Sequence, residues 1–126
     1  MPQPEVIFYK EDESVLVRDW LRRLPTKAQK KCLTYIAQLE MQGHDSHRPG
    51  ADFLRDAIYE LRPSYQGVNY RILYFFSGRD QVVLSHGIAK EGAVPDIEIE
   101  RGIERKKRFE AGPKAHTYKP VKQNTE

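Results

Sequence analysis

Two arginines occupy positions from which alternating strands would bring them to one surface. Arg62 follows the period-two segment Ala57 to Leu61, and Arg71 is second in the run Tyr70-Arg71-Ile72-Leu73-Tyr74-Phe75-Phe76. Alternate side chains of a strand share a face, so Tyr70, Ile72, Tyr74 and Phe76 form one set and Arg71, Leu73 and Phe75 the other. With the more aromatic set beneath helices, Tyr59 and Leu61 of the neighbouring strand point inward, while Glu60, Arg62 and Arg71 face outward. Paired guanidiniums suit phosphate, because each offers a rigid donor fork and stays charged. The simpler reading of the residues alone is a surface ion pair of Arg62 with Glu60 or Asp56, worth about 0–1 kcal/mol.

His86 has the ordinary pKa, about 6.5, of a proton-transfer group. It shares strand parity with Val82, Leu84 and Ile88, the more apolar face of its segment, where a hydrogen-bonded core histidine is an equal alternative. Cys32 is the only cysteine, so no internal disulfide can form, and its place in a helical pattern implies packing. No metal-ligand cluster, phosphate-binding glycine loop or nucleophile elbow appears, which weighs against metal-dependent hydrolysis, nucleotide hydrolysis and serine-hydrolase chemistry. Neither a metal nor a cofactor is expected.

The elements that must position these groups follow from periodicity. Val6 to Lys10 reads as a first strand; Ser14 caps a short helix with Leu16, Val17, Trp20, Leu21 and Leu24 at helical spacing, and Pro25 stops it. Thr26 opens a second helix with the inward stripe Ala28, Cys32, Tyr35 or Ile36, and Leu39, ending at Gly43. Its first-turn cations Lys27, Lys30 and Lys31 read as solvated. The stretch from His44 to Asp56 reads as a loop. Three strands then follow, at Ala57–Arg62, Tyr70–Phe76 and Gln81–Ile88, joined by turns at Tyr65-Gln66-Gly67 and Ser77-Gly78-Arg79-Asp80. Pro95 opens a last helix, with acidic residues at its start and Arg105 to Arg108 at its end. The order β-α-α-β-β-β-α predicts an α+β domain over residues 1–110, with a mainly antiparallel sheet covered by helices on one face. Residues 111–126 lack apolar periodicity and read as a flexible basic tail.

Composition sets the frame. With 126 residues, 39% hydrophobic and 31% charged, the chain suits one soluble globular domain. No segment has the length and apolarity of a membrane span, and the start lacks a signal peptide's layout, so a cytoplasmic location is expected. The net charge of +3 and a pI near 9.0 are a mild bias towards polyanions.

The joint order Tyr59-Glu60-Leu61-Arg62, Tyr70 to Phe76, Leu84-Ser85-His86-Gly87-Ile88-Ala89-Lys90 and a helix opened by Pro95 resembles the phage-derived HigB-type toxins of the RelE/ParE superfamily. Their pattern is Y-E-L-R, Y-R-V-x-Y-F, L-L-H-x-F-x-K-K and T-P-x-x-E-I, and the resemblance covers roughly residues 6 to 109. It implies a small microbial-ribonuclease-type fold that cuts messenger RNA on the ribosome without a cofactor, the 2′-hydroxyl attacking the neighbouring phosphate. It also implies a cognate antitoxin, commonly a helix-turn-helix protein. By motif position, Arg71 matches the family's phosphate-binding arginine, Arg62 a basic position on the preceding strand, and Lys90 the first lysine after the fourth strand. Glu91 replaces the second lysine of the pattern, and no tyrosine marks the general base. The rivals are a ParE-like protein that blocks a topoisomerase without cutting, and an inactive prophage remnant, for which Glu91 speaks.

Overall fold

A computed structural model describes residues 4–42 and 51–120. Over these residues the chain forms strands β1 (Glu5–Glu11), β2 (Ser14–Val15), β3 (Ala51–Arg55), β4 (Ile58–Leu61), β5 (Ser64–Tyr65), β6 (Val68–Ser77), β7 (Gln81–Ala89) and β8 (Thr117–Tyr118). The helices are α1 (Leu16–Arg22), α2 (Thr26–Gln42) and α3 (Asp96–Ala111), with a short 3-10 turn at Pro113–His116. The α+β class stands. The sheet runs β2-β1-β7-β6-β4-β3, with β5 beside β6 and β8 beside β1, and every pairing is antiparallel except β1 with β7.

Strand parity within β6 holds as expected. Tyr70, Ile72 and Tyr74 join Val6, Phe8, Leu61 and Leu84 in a core closed by Trp20 and Leu21 of α1 and by Ala28, Cys32, Ile36 and Leu39 of α2. Burial pushes the Cys32 thiol up to about 11, so it is a packing group rather than a nucleophile.

The opposite face is not open. Leu73 and Phe75 of β6, Ile7 and Tyr9 of β1 and Val83 of β7 form a second core under Ile99 and Phe109 of α3. The sheet is therefore covered on both faces, because Ile99, Ile103 and Phe109 give α3 an apolar side that has to be buried.

Three further expectations change. Ser14 lies in β2, and α1 begins one residue after Val15 without a side-chain cap. Ala51–Arg55, expected as loop, is an edge strand joined to β4 by a turn in which Asp56 and Ala57 both take positive φ, 51° and 65°. The rest of that expected loop, and the Gly43 helix stop, lie outside the described residues. The tail, expected to be free, is held through Pro120: Tyr118 pairs with Phe8 and stacks on it, His116 stacks on Tyr9 at 5.0 Å and bonds the Lys10 carbonyl, and Arg18 lies over the Tyr118 ring. Aromatic stacking on exposed strand backbone needs no apolar period, so the tail's composition concealed it.

Candidate active site

Arg71 reaches the α3 side of β6, as its parity demands, and it is enclosed there rather than exposed. Nη1 donates to Glu60 Oε1 at 2.8 Å and Nη2 donates to the Gly92 carbonyl at 2.9 Å. The two side chains are only 13% and 6% exposed, which makes this a buried pair in which each charge depends on the other. Nε is buried and has no hydrogen-bond partner among the described residues. A donor left over on a guanidinium that otherwise satisfies itself is unusual in a settled structural pair, since buried polar atoms are nearly always bonded.

The strand register puts Glu60 opposite Leu73, and Leu73 opposite His86. Residues directly across an antiparallel pair share a face, so Glu60, Arg71 and His86 all project towards α3, with Arg71 diagonal to both. His86 arrives there through a β-bulge. Leu73 pairs with His86 but Tyr74 pairs with Leu84, so Ser85 is an extra residue in β7 and parity reverses after it. The expectation that His86 follows Val82 and Leu84 onto the helix α1 and α2 side is corrected by that single inserted residue.

His86 is nonetheless buried and bonded. Nδ1 lies 3.0 Å from Arg105 Nη1 and 2.8 Å from Ser85 Oγ, and Nε2 lies 3.1 Å from Glu98 Oε1. Arginine only donates, so Nδ1 accepts, the proton sits on Nε2, and Nε2 donates to Glu98. Burial, reinforced by the Arg105 charge against the opposing pull of Glu98, pushes the imidazole down to about 4, so it is neutral at physiological pH.

The other two expected residues lie at the same end of the sheet, on its rim. Arg62 stands just past β4, exposed, and pairs with Asp52 at 3.0 Å rather than with Glu60 or Asp56. Lys90 follows β7, with its backbone bonded to Asn69 and its side chain exposed, and Glu91 beside it is exposed too. Lys27, Lys30 and Lys31 are solvated as expected.

Three participants were not singled out from the sequence: Glu60 as the Arg71 partner, and Glu98 and Arg105 around His86. Their signal was present in part, because Glu98, Arg101 and Arg105 recur at three and four residues along one side of α3. Arg101 binds both Glu98 oxygens at 3.0 Å. No helix among the described residues is long and apolar enough to cross a membrane, and no three His, Cys, Asp or Glu side chains among them converge as metal ligands.

A family model described as phage derived protein Gp49-like (DUF891) matches residues 19–107. That is more than half of the chain, from within α1 to the last turn of α3, and it contains Glu60, Arg62, Arg71, His86 and Lys90. No curated protein matches the sequence.

Proposed function

The chain belongs to the Gp49-like family of phage-derived proteins, and from that membership we propose that it is the toxin of a type II toxin-antitoxin pair, of the HigB kind, that cleaves messenger RNA on the ribosome. The observation that carries the catalytic part is the convergence of Glu60, Arg71 and His86 on one sheet face. Transfer of a phosphoryl group to a neighbouring 2′-hydroxyl needs a proton acceptor, a cation for the pentacoordinate phosphorus and a proton donor for the leaving oxygen. A carboxylate, a guanidinium and an imidazole are those three groups.

In this reading Glu60 takes the 2′-hydroxyl proton while the 2′-oxygen bonds phosphorus. Arg71 exchanges Gly92 and part of its Glu60 contact for two phosphate oxygens, its unbonded Nε included. The bond from phosphorus to the 5′-oxygen breaks, and His86 protonates that oxygen, leaving a 2′,3′-cyclic phosphate and a 5′-hydroxyl. His86 must first be charged, and a phosphate placed beside it acts in that direction by favouring the imidazolium. Arg62 and Lys90, at the rim, contribute to holding the strand. Access requires the segment around Gly92 and the first turns of α3 to stand aside, since both now cap Arg71 and His86.

The ribosome and its message are the proposed partners, and the cytoplasm, where translation occurs, the proposed location. A small helix-turn-helix antitoxin encoded beside the toxin is the proposed third partner, with an interface of at least about 1,000 Å². A ParE-like action on a topoisomerase draws on one observation, the neutralisation of Arg71 by Glu60. Induction of the chain alone, with growth followed and translated messages mapped by primer extension, separates the readings. Growth arrest with discrete cuts, relieved by co-expression of the neighbouring small reading frame, is expected. Arrest without cuts supports the topoisomerase reading, and harmless expression contradicts both.

A further inference from the structure

Arg105 breaks a rule that the protein's other enclosed arginines obey. Arg18, Arg55, Arg62, Arg71, Arg101 and Arg108 each lie within 4 Å of a carboxylate. Arg105, half-buried between α3 and β7, meets only neutral acceptors: its Nη1 contacts His86 Nδ1 at 3.0 Å and Ser85 Oγ at 3.4 Å. Among the described residues Nη1 is the one Arg105 nitrogen that makes a hydrogen bond, which leaves Nη2 and Nε for another acceptor. Burial lowers its pKa, and the neighbouring Arg101 and Arg108 add to that. Half-buried charges are ordinarily paired, so a counter-charge is missing here.

The space for one exists. β1 stays in register with β7 only as far as Phe8 with Leu84, so Ser85 to Ala89 have no strand neighbour on that side among the described residues. Where the strands part, a cleft of about 250 Å³ opens between α1 and α3, with Trp20, Arg23, His86, Gly87, Arg101 and Arg105 on its walls. Glu98 is the carboxylate in that wall, and the Arg101 fork already binds both its oxygens. Arg23 and Arg105 therefore leave the cleft with a positive field. Its volume is below the roughly 300–1,000 Å³ of sites that enclose a drug-sized molecule, which suits one small anionic group.

We infer that the cleft between α1 and α3 binds a phosphate group, held by the free fork of Arg105 with Arg23 at the mouth and oriented by the neutral Ser85-His86 pair behind. Guanidinium forks match phosphate oxygens bidentately, and a neutral histidine backing the fork keeps the arginine in place without cancelling its charge. The site is separate from the Arg71 contacts and does not require that the protein cleave RNA.

Trp20 is the only tryptophan in the chain and lines the cleft, so its fluorescence reports occupancy. The full chain is titrated at low salt with inorganic phosphate, uridine 3′-monophosphate and a short 2′-O-methylated RNA that cannot be cut. A saturable Trp20 signal is expected, weakened about tenfold or more in Arg105→Gln, the loss of one charge-assisted contact. Arg105→Lys, which keeps the charge but not the fork, falls between them, and Arg22→Gln, outside the cleft, binds as the unaltered chain does. Tighter binding of the RNA than of phosphate identifies the ligand as a strand phosphate, and the reverse order identifies a free ion; either supports the site. A titration without saturation, or equal binding by Arg105→Gln, overturns it. Message cleavage that persists in the first case leaves the proposed function standing.

Discussion

Arg71 and Arg105 both enter the protein between the sheet and α3, and they are held in opposite ways. Arg71 is neutralised by a carboxylate as buried as itself, whereas Arg105 rests on a hydroxyl and an uncharged imidazole. A cation paired with a buried carboxylate is part of the fold until a substrate exchanges for its partner. A cation backed by neutral acceptors keeps its field for whatever enters the adjoining cleft. The contrast assigns the chemistry of bond breaking to one region and standing anion attraction to the other.

The largest expected effect tests that contrast through stability. Arg71→Ala strands Glu60 in the interior and should cost about 3–5 kcal/mol, while the paired change Glu60→Met with Arg71→Met should be close to neutral. Arg105→Ala leaves behind only neutral groups and should cost about 1.5 kcal/mol or less. Urea unfolding measures all three, and equal losses for the two alanine variants would break the comparison.

His86 sharpens it through pH. Its pKa is about 4 in the folded protein and about 6.5 unfolded, so between those values the unfolded chain binds the extra proton. Stability is therefore fully present above about pH 6.5 and falls as pH drops towards 4, by about 3 kcal/mol at most. Thermal melts across that window should show the fall. Arg105→Gln removes one of its two causes and should make it shallower, and an unchanged slope would mean that burial alone acts.

A smaller effect lies on the other wall of the cleft. A Cβ at Gly87 would collide with the Trp20 ring, so Gly87→Ala should cost about 1–3 kcal/mol and move the Trp20 emission. Unaltered stability and emission would show that Trp20 does not pack on β7 as described. The smallest effect is stabilising. Ala57 holds φ at 65° in the turn from β3 to β4, beside the Arg55 contacts to Asp96 and Glu100 that pin the start of α3 over Arg71. Ala57→Gly should add about 0.5–1 kcal/mol by relieving that strain, as chemical denaturation would reveal.

Much of this arrangement could be read from the residues. Alternation in Tyr70 to Phe76 placed Arg71 opposite the aromatic set, and the Ala28, Cys32, Ile36 and Leu39 stripe fixed the buried side of α2. Three things escaped for distinct physical reasons. The Ser85 bulge leaves no trace in hydropathy, because Val82 to His86 alternate equally well without it, yet it decides which face His86 joins. The covering of the second face depended on weighing Ile99, Ile103 and Phe109 as a stripe against the heavy charge of α3, and charge dominated the reading. The held tail rests on ring stacking with β1, a tertiary contact with no local pattern.

The central claim is that Glu60, Arg71 and His86 together cut RNA, and Glu60→Gln tests it most directly. Glutamine keeps the shape of the side chain and an oxygen for Arg71 but cannot take a proton at neutral pH. Primer extension on translated messages, with the variant's folding checked by its thermal midpoint, should show cleavage reduced by about 100- to 10,000-fold, the range for losing a general base. Cleavage by folded Glu60→Gln equal to that of the unaltered chain would contradict the account.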